Sequence, residues 1–354
     1  MLRREFLYCC SAGLASAAVT PKVREYRRGG MVYRSLGQTG MDVSLLSFGS
    51  HTDPADRVRA GPDKTVLTPA GQARRDRLIT RAFDAGVNLL DVYESEGQWA
   101  PAANLVKDRR NRILISLAHE VRRQDLEQAF RMFGHVDLSR FHTADIDGPT
   151  LENWDMLRKA KEAGHIRAIG IATHIERTMN RALDELDDLD YIFFPYNFIH
   201  ARADYGEFLP KAVAKGVGLI AMKPLASGSI VKLDPRAKPK SGPEFDTLQL
   251  WQTRNRPVLP AAVAELTRAL NRLPDESLCM AALRFNFSRP FLSTAIAGIF
   301  DDQWLEEDLR ALSRFEQFGA MERSALETVR QVAGLLDGRW LPGEYRWLEE
   351  RWRG

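Results

Sequence analysis

Short apolar runs and helical stretches alternate along this chain, and the alternation repeats eight times. The apolar runs cover residues 43–48, 87–90, 112–117, 136–141, 166–172, 191–194, 217–222 and 293–297. Each has the length and apolar character of a buried strand. Helical spacing fills the gaps between them. In 71–85, Leu78, Ile79, Ala82 and Phe83 share one face before Gly86 ends the helix. Further helices are predicted over 125–133, 150–163, 175–186, 205–215, 260–271, 276–287 and 303–312. Alternation of this kind argues for a parallel sheet, and eight units close into an α/β fold of the (β/α)8 TIM-barrel type. Chemistry in such a barrel belongs at the C-terminal strand ends. Residues 50–70 form a polar loop with Pro54, Gly61, Pro62 and Pro69, long enough to suggest a functional role.

At 354 residues the chain is long enough for one large barrel. A net charge of +3 with scattered basic residues gives no reason to expect a nucleic-acid partner. The three cysteines, Cys9, Cys10 and Cys279, provide neither a disulfide framework nor a thiolate metal site. Cys279 reads as a small buried hydrophobe. Arg3-Arg4-Glu5-Phe6-Leu7 is a twin-arginine motif, followed by apolar or small residues over 8–19 and by Ala15-Ser16-Ala17, a small-residue cleavage site. That apolar stretch is too short to span a bilayer. The expectation is a periplasmic or otherwise exported protein with no membrane span in its mature form. Residues 22–30, basic and ending in Gly29-Gly30, read as a flexible linker, so 1–30 is assigned to signal and linker.

The opening of the barrel carries its own signature. Gly37 and Gly40 bracket Gln38-Thr39 in Tyr33-Arg34-Ser35-Leu36-Gly37-Gln38-Thr39-Gly40-Met41-Asp42-Val43-Ser44, a tight hairpin turn ahead of the first barrel strand. This stretch resembles the start of the aldo/keto reductases, in which an N-terminal β-hairpin plugs the barrel's base. The run from Leu151 through Trp154, Gly164 and Gly170 resembles that family's helix-four to strand-five signature. Pro195-Tyr196-Asn197 follows strand six as in the family, and Gly298 with Leu305-Glu306-Glu307-Asp308-Leu309 resembles its last loop and helix. The resemblance places the barrel at 31–316 and leaves 317–354 as a C-terminal helical extension. Trp340, Tyr345, Trp347 and Trp352 make that extension either a cap on the barrel or a protein-partner surface.

Membership of this family would imply interconversion of a small-molecule carbonyl or alcohol with NADP or NAD. A Tyr would give the proton, an Asp-paired Lys would tune it, and a His would orient the carbonyl. Gly86-Val87-Asn88-Leu89-Leu90-Asp91 matches the strand that carries the Asp, and Asp137-Leu138-Ser139-Arg140-Phe141-His142 matches the strand that carries the His. At the Tyr position stands Glu96, followed by Gly97, with Tyr93 three residues early. At the Lys position stands Leu117 or Ala118, according to register. The catalytic residues expected from this alignment are therefore Asp91, Glu96 and His142, with Glu96 as a carboxylic proton donor.

On the cofactor side, Phe193 aligns with the family's carboxamide-binding Gln, and Met222 with the aromatic residue that stacks on nicotinamide. Phe300, Asp301 and Asp302 replace the residues that hold a 2′-phosphate, and two carboxylates there would repel one. Asn197, Lys223, Leu225, Ser227, Gly228 and Gly298 remain as cofactor-binding candidates, since backbone amides near 225–229 suit a pyrophosphate. Lys232, Arg236, Lys238 and Lys240 form a basic run that is either solvated or folded over phosphates. Asp91, Glu94, Glu96, His119 and His142 have no spacing that fixes a coordination geometry, so no metal site is expected. Two functions remain open: an exported oxidoreductase with altered acid chemistry, and a catalytically degenerate barrel that binds a ligand or partner in the periplasm.

Overall fold

The computed structural model describes residues 23–61, 65–93, 97–118, 123–228, 230, 268, 270, 273–330 and 346–354. The signal segment, Glu94, Glu96, His119, the basic run at 232–240, most of the helix predicted at 260–271, Trp340 and Tyr345 lie outside the described residues.

Eight parallel strands close into a barrel. In chain order they are β4 (Leu46–Gly49), β7 (Leu89–Tyr93), β8 (Leu114–Ala118), β9 (Val136–His142), β10 (Ile166–Ala172), β11 (Tyr191–Pro195), β12 (Gly218–Met222) and β13 (Thr294–Gly298), and β13 pairs with β4 to complete the circle. Leucines, isoleucines and valines on the outer strand faces pack against the surrounding helices. A separate inner cluster, including Leu89, Leu138, Ala168, Tyr191, Phe193 and Ile220, fills the lumen. This division follows from the two-residue period of a strand, which sends alternate side chains in and out. No helix among the described residues is long and apolar enough to cross a membrane.

The base is plugged by an antiparallel sheet of β1 (Glu25–Arg28), β2 (Met31–Ser35) and β3 (Asp42–Ser44). Leu36, Met41 and Val43 from this plug join the lumen cluster, so the barrel's floor is made by the hairpin. Gly37 (φ 49°) and Gly40 (φ 75°) adopt the left-handed backbone that the turn requires. A Cβ on Gly37 would lie 2.4 Å from the amide nitrogen of Gly218, so only glycine lets the turn seat against β12. Arg34 is buried and donates to the carbonyls of Phe287, Arg289 and Leu292 at 2.8–2.9 Å. These carbonyls cluster at the C-terminal end of the helix Leu278–Phe287, where a cation also opposes the helix dipole.

Three local expectations differ from the structure. Residues 25–28 are a strand, because Gly29 (φ 62°) turns the chain back and Arg24–Asp42 and Tyr26–Tyr33 contacts hold the pairing. The first apolar run divides at Leu45: Val43 pairs with Arg34 in the plug, whereas β4 pairs with β7 and β13 in the barrel. The loop at 50–70 contains its own hairpin, β5 (Arg57–Arg59) with β6 (Thr65–Leu67).

Candidate functional site

Strand alternation builds the site in layers. On β7 the inward residues are Leu89, Asp91 and Tyr93, and on β9 they are Leu138, Arg140 and His142. Leu89 and Leu138 belong to the apolar floor. Asp91 and Arg140 form the layer above, and Tyr93 and His142 lie at the mouth. Between these strands β8 contributes Ser116, which sits in register with Asp91, and Ala118, which sits in register with both Tyr93 and Arg140.

Arg140 is 1% exposed and meets Asp91, also 1% exposed, in a two-bond fork of 2.6 and 2.9 Å. The same guanidinium donates to Ser116 Oγ at 2.7 Å, and Ser116 in turn donates to Asp91 Oδ1 at 2.7 Å. Its carbon lies 3.5 Å from the centroid of the Phe193 ring, a cation–π contact in the lumen. Burial works against the charge on Arg140, but the Asp91 carboxylate more than offsets it, and the pKa stays above its ordinary value. The cation beside Asp91 therefore comes from the fourth barrel strand, two residues before His142, while the inward residue of the third strand is Ala118.

The Tyr93 hydroxyl accepts a long contact of 3.5 Å from Arg140 Nη2. The ring of His51 stacks on it with centroids 5.2 Å apart, and buried Gln98 accepts the Tyr93 backbone N–H at 2.8 Å. Tyr191 lies deeper, its hydroxyl buried without a hydrogen-bond partner, and burial raises its pKa well above the ordinary phenol value.

His142 stands at the end of β9 and shares a 3.0 Å hydrogen bond, Nε2 to Nδ1, with His174 just past β10. Burial pushes the His142 pKa down to about 4, helped by the charges of Lys223, Arg351 and Arg140. Burial pushes His174 down to about 2, helped by Lys223, His142 and Arg351. Both rings are thus neutral at pH 7, and His142 Nε2 is engaged by a second imidazole.

Asn197 is fully buried and holds the rim together. Its Oδ1 accepts from Ile199 and His200 amides at 3.1 and 2.9 Å, and its Nδ2 donates to the Lys223 carbonyl at 3.0 Å. Lys223, just past β12, has a left-handed backbone (φ 56°), and Ala226, Ser227 and Gly228 follow at φ 48°, 51° and 87°. Within this turn the Ala226 amide donates to the Lys223 carbonyl at 2.8 Å and the Gly228 amide to the Leu225 carbonyl at 3.0 Å. Leu225 is half-buried within it, and for Gly298, at the end of β13, only Phe300 among the described residues comes within 4 Å of where a Cβ would stand. Asp301 caps the helix Asp302–Ser313 through the Trp304 amide at 2.9 Å, and Asp302 pairs with Arg81 at 2.7 Å.

The C-terminal helix Trp347–Arg353 lies along this rim. Glu349, 4% exposed, accepts from His200 Nδ1 at 2.8 Å, and Trp352 Nε1 donates to Glu176 at 2.8 Å. Trp347 faces His174, with centroids 6.5 Å apart. Of the residues expected from sequence, Asp91 sits buried in the lumen beneath the mouth and His142 stands at the mouth, at the end of β9. Arg140, Ser116 and His174 were not expected as site residues, whereas the C-terminal helical extension was expected as a cap or partner surface and its last helix reaches this rim. The signal for Arg140 was its spacing of two from His142, which puts both on the inward face.

The fold and this rim of ionisable groups define a (β/α)8 barrel protein whose polar side chains converge at the C-terminal strand ends. A profile of the aldo/keto reductase family matches residues 72–330. The chain is 23% identical over 328 residues to L-galactose dehydrogenase of Arabidopsis thaliana, covering 86% of this chain and 94% of that protein. It is 25% identical over 321 residues to L-glyceraldehyde 3-phosphate reductase of Escherichia coli O157:H7, covering 81% and 89%. Aldo-keto reductase AKR11C1 from Bacillus halodurans, in its apo form, superposes with a TM-score of 0.63 at 20% identity, over 89% of this chain and 99% of that one. The chain belongs to the aldo/keto reductase family.

The depressed His174 value carries a pH prediction. The unfolded imidazole takes up a proton near its ordinary pKa, whereas the folded one does not, so the unfolded state binds more protons below about pH 6.5. Stability is fully present above that pH and falls as pH drops toward 4. Urea midpoints measured from pH 7 to 5 should decline, and less steeply in His174→Gln. Equal slopes in the two proteins would contradict the buried, neutral assignment.

Proposed function

We propose that this family member interconverts a carbonyl and an alcohol with a nicotinamide cofactor, using Tyr93 as the proton donor and Arg140 as its cationic partner. The observation that carries the reading is the Asp91–Arg140 fork, which holds a fixed positive charge against the Tyr93 hydroxyl. A cation beside a phenol oxygen favours the charge that develops there as the proton leaves. His51 and Gln98 hold the ring and backbone of Tyr93 in place. His142 lies two residues beyond Arg140 at the end of β9; being neutral and with Nε2 shared with His174, it would act on a substrate oxygen as an uncharged hydrogen-bonding group.

The left-handed turn at Ala226–Gly228 and Gly298 at the end of β13 both lie just past barrel strands, where the pyrophosphate of a dinucleotide would sit. When bound, the nicotinamide supplies the hydride. Phe193 and Met222 present an apolar wall where the family has polar and aromatic contacts. Asp301 and Asp302 at the start of the last barrel helix favour NAD over NADP, since a carboxylate there opposes a 2′-phosphate.

Glu96, three residues beyond Tyr93, is the other acid within reach in sequence. Tyr93→Phe should lower kcat by about a hundredfold or more while nucleotide affinity is kept, as expected for loss of a general acid. If Glu96→Gln has that effect and Tyr93→Phe does not, the proton donor is Glu96. No binding of NADH or NADPH to the folded protein by calorimetry would remove the oxidoreductase reading and leave a ligand-binding barrel.

Export by the twin-arginine route is supported by Arg3-Arg4, the apolar run behind it and Ala15-Ser16-Ala17. Replacing both arginines with lysine should retain the protein in the cytoplasm. A wild-type protein found there in full would overturn the assignment.

A further inference from the structure

Many of the described arginines near the surface are matched to carboxylates, as in Arg24–Asp42, Arg81–Asp302, Arg109–Asp84 and Arg314–Asp275. The mouth departs from this pattern. Lys223 Nζ lies 5.5 Å from the centroid of the Trp347 ring, and the Arg351 guanidinium lies 5.2 Å from the same centroid. Two cations thus share one aromatic ring. Among the described residues, neither has a carboxylate partner.

Glu349 is bound to His200 and Arg202, and Glu176, which the helix reaches through Trp352, is bound to the indole. Lys223 is also held where it is at a cost. The left-handed region is strained for a residue with a side chain. Asn197 and the Ala226 amide fix that conformation by binding the Lys223 carbonyl at 3.0 and 2.8 Å. Burial and the neighbouring Arg351 push the Lys223 pKa down to about 8, so the ammonium is charged at neutral pH but incompletely stabilised. The same two charges act on His142 and His174.

We infer that the site takes a substrate that carries an oxyanion, a carboxylate or a phosphate, close to its reacting carbonyl, and that Lys223 and Arg351 hold that group over Trp347. An oxyanion there would relieve the repulsion between the cations and would gain two charge-assisted hydrogen bonds. The Lys223 charge is felt at both His142 and His174, so an anion held by Lys223 would sit on the same rim as those imidazoles. The word substrate rests on the oxidoreductase reading, whereas the anion site does not.

The test is calorimetry of the full folded protein with sodium oxalate and with inorganic phosphate, without nucleotide. Saturable binding of one of these anions should appear and should weaken about tenfold or more in Lys223→Met and in Arg351→Met. Arg351 is exposed, so its variant reports even if Lys223→Met folds poorly. No binding of either anion, or unchanged affinity in Arg351→Met, would overturn the inference. NADH affinity, measured on the same variants, separates the sources of the anion. If it falls by the same factor, the cations serve the nucleotide's phosphates and the substrate assignment is wrong. With turnover established, KM for glyoxylate should rise about tenfold in the variants while that for the neutral twin glycolaldehyde stays within about twofold. Equal rises for both would also refute it. Absence of turnover alongside oxalate binding would remove the reductase reading and leave the anion site.

Discussion

The lumen of this barrel holds the carboxylate of Asp91 a layer above an apolar floor, and the fork with Arg140 is what makes that placement tolerable. An ionised carboxylate buried alone would cost many kcal/mol and would take up a proton instead. With Arg140 on one side and Ser116 bridging, both oxygens are satisfied. The rest of the site is arranged around this unit. Phe193 supports the guanidinium from below, the Tyr93 hydroxyl meets it from above, and His142 follows it on the same strand face. The plug matters to this arrangement because Leu36, Met41 and Val43 keep water from reaching the layer from the barrel's base.

The mouth is built on the opposite principle. Lys223 and Arg351 carry positive charge there with no carboxylate partner among the described residues, and two imidazoles are held neutral beside them. The helix Trp347–Arg353 contributes both an apolar wall, Trp347, and a charge, Arg351. It is tied down by Glu349 to His200 and by Trp352 to Glu176. A C-terminal segment that a sequence reading could place only as a cap or a partner surface is, in its last turns, part of the rim. The two loops it grips follow the fifth and sixth barrel strands, which also carry His174 and Asn197.

Much of the barrel was legible because its cues are local. The period of apolar runs, the Gly37 and Gly40 turn and the Asp91 and His142 strand ends depend on neighbours a few residues away. Arg140 was not legible as the partner of Asp91, although it stood in the quoted motif. Its role requires knowing that its guanidinium crosses the intervening strand, a contact 49 residues apart in sequence. The strand at 25–28 was hidden by its charged composition, EYRR, since its four residues are exposed and its pairing rests on backbone and ion-pair contacts. His174 follows β10 in a Thr-His step with no motif of its own, and only the closeness of β9 and β10 joins it to His142.

The central claim is that Asp91 and Arg140 act as one charge unit, and a double-mutant cycle on stability addresses it directly. Breaking a buried ion pair from either side costs about 3–5 kcal/mol, whereas replacing both charges costs far less than the sum. Urea unfolding of Asp91→Asn, Arg140→Met and the double variant should therefore give a coupling energy of about 2 kcal/mol or more. Additive losses, with a coupling near zero, would show that the two residues are merely neighbours, and the account of the site built on them would fail.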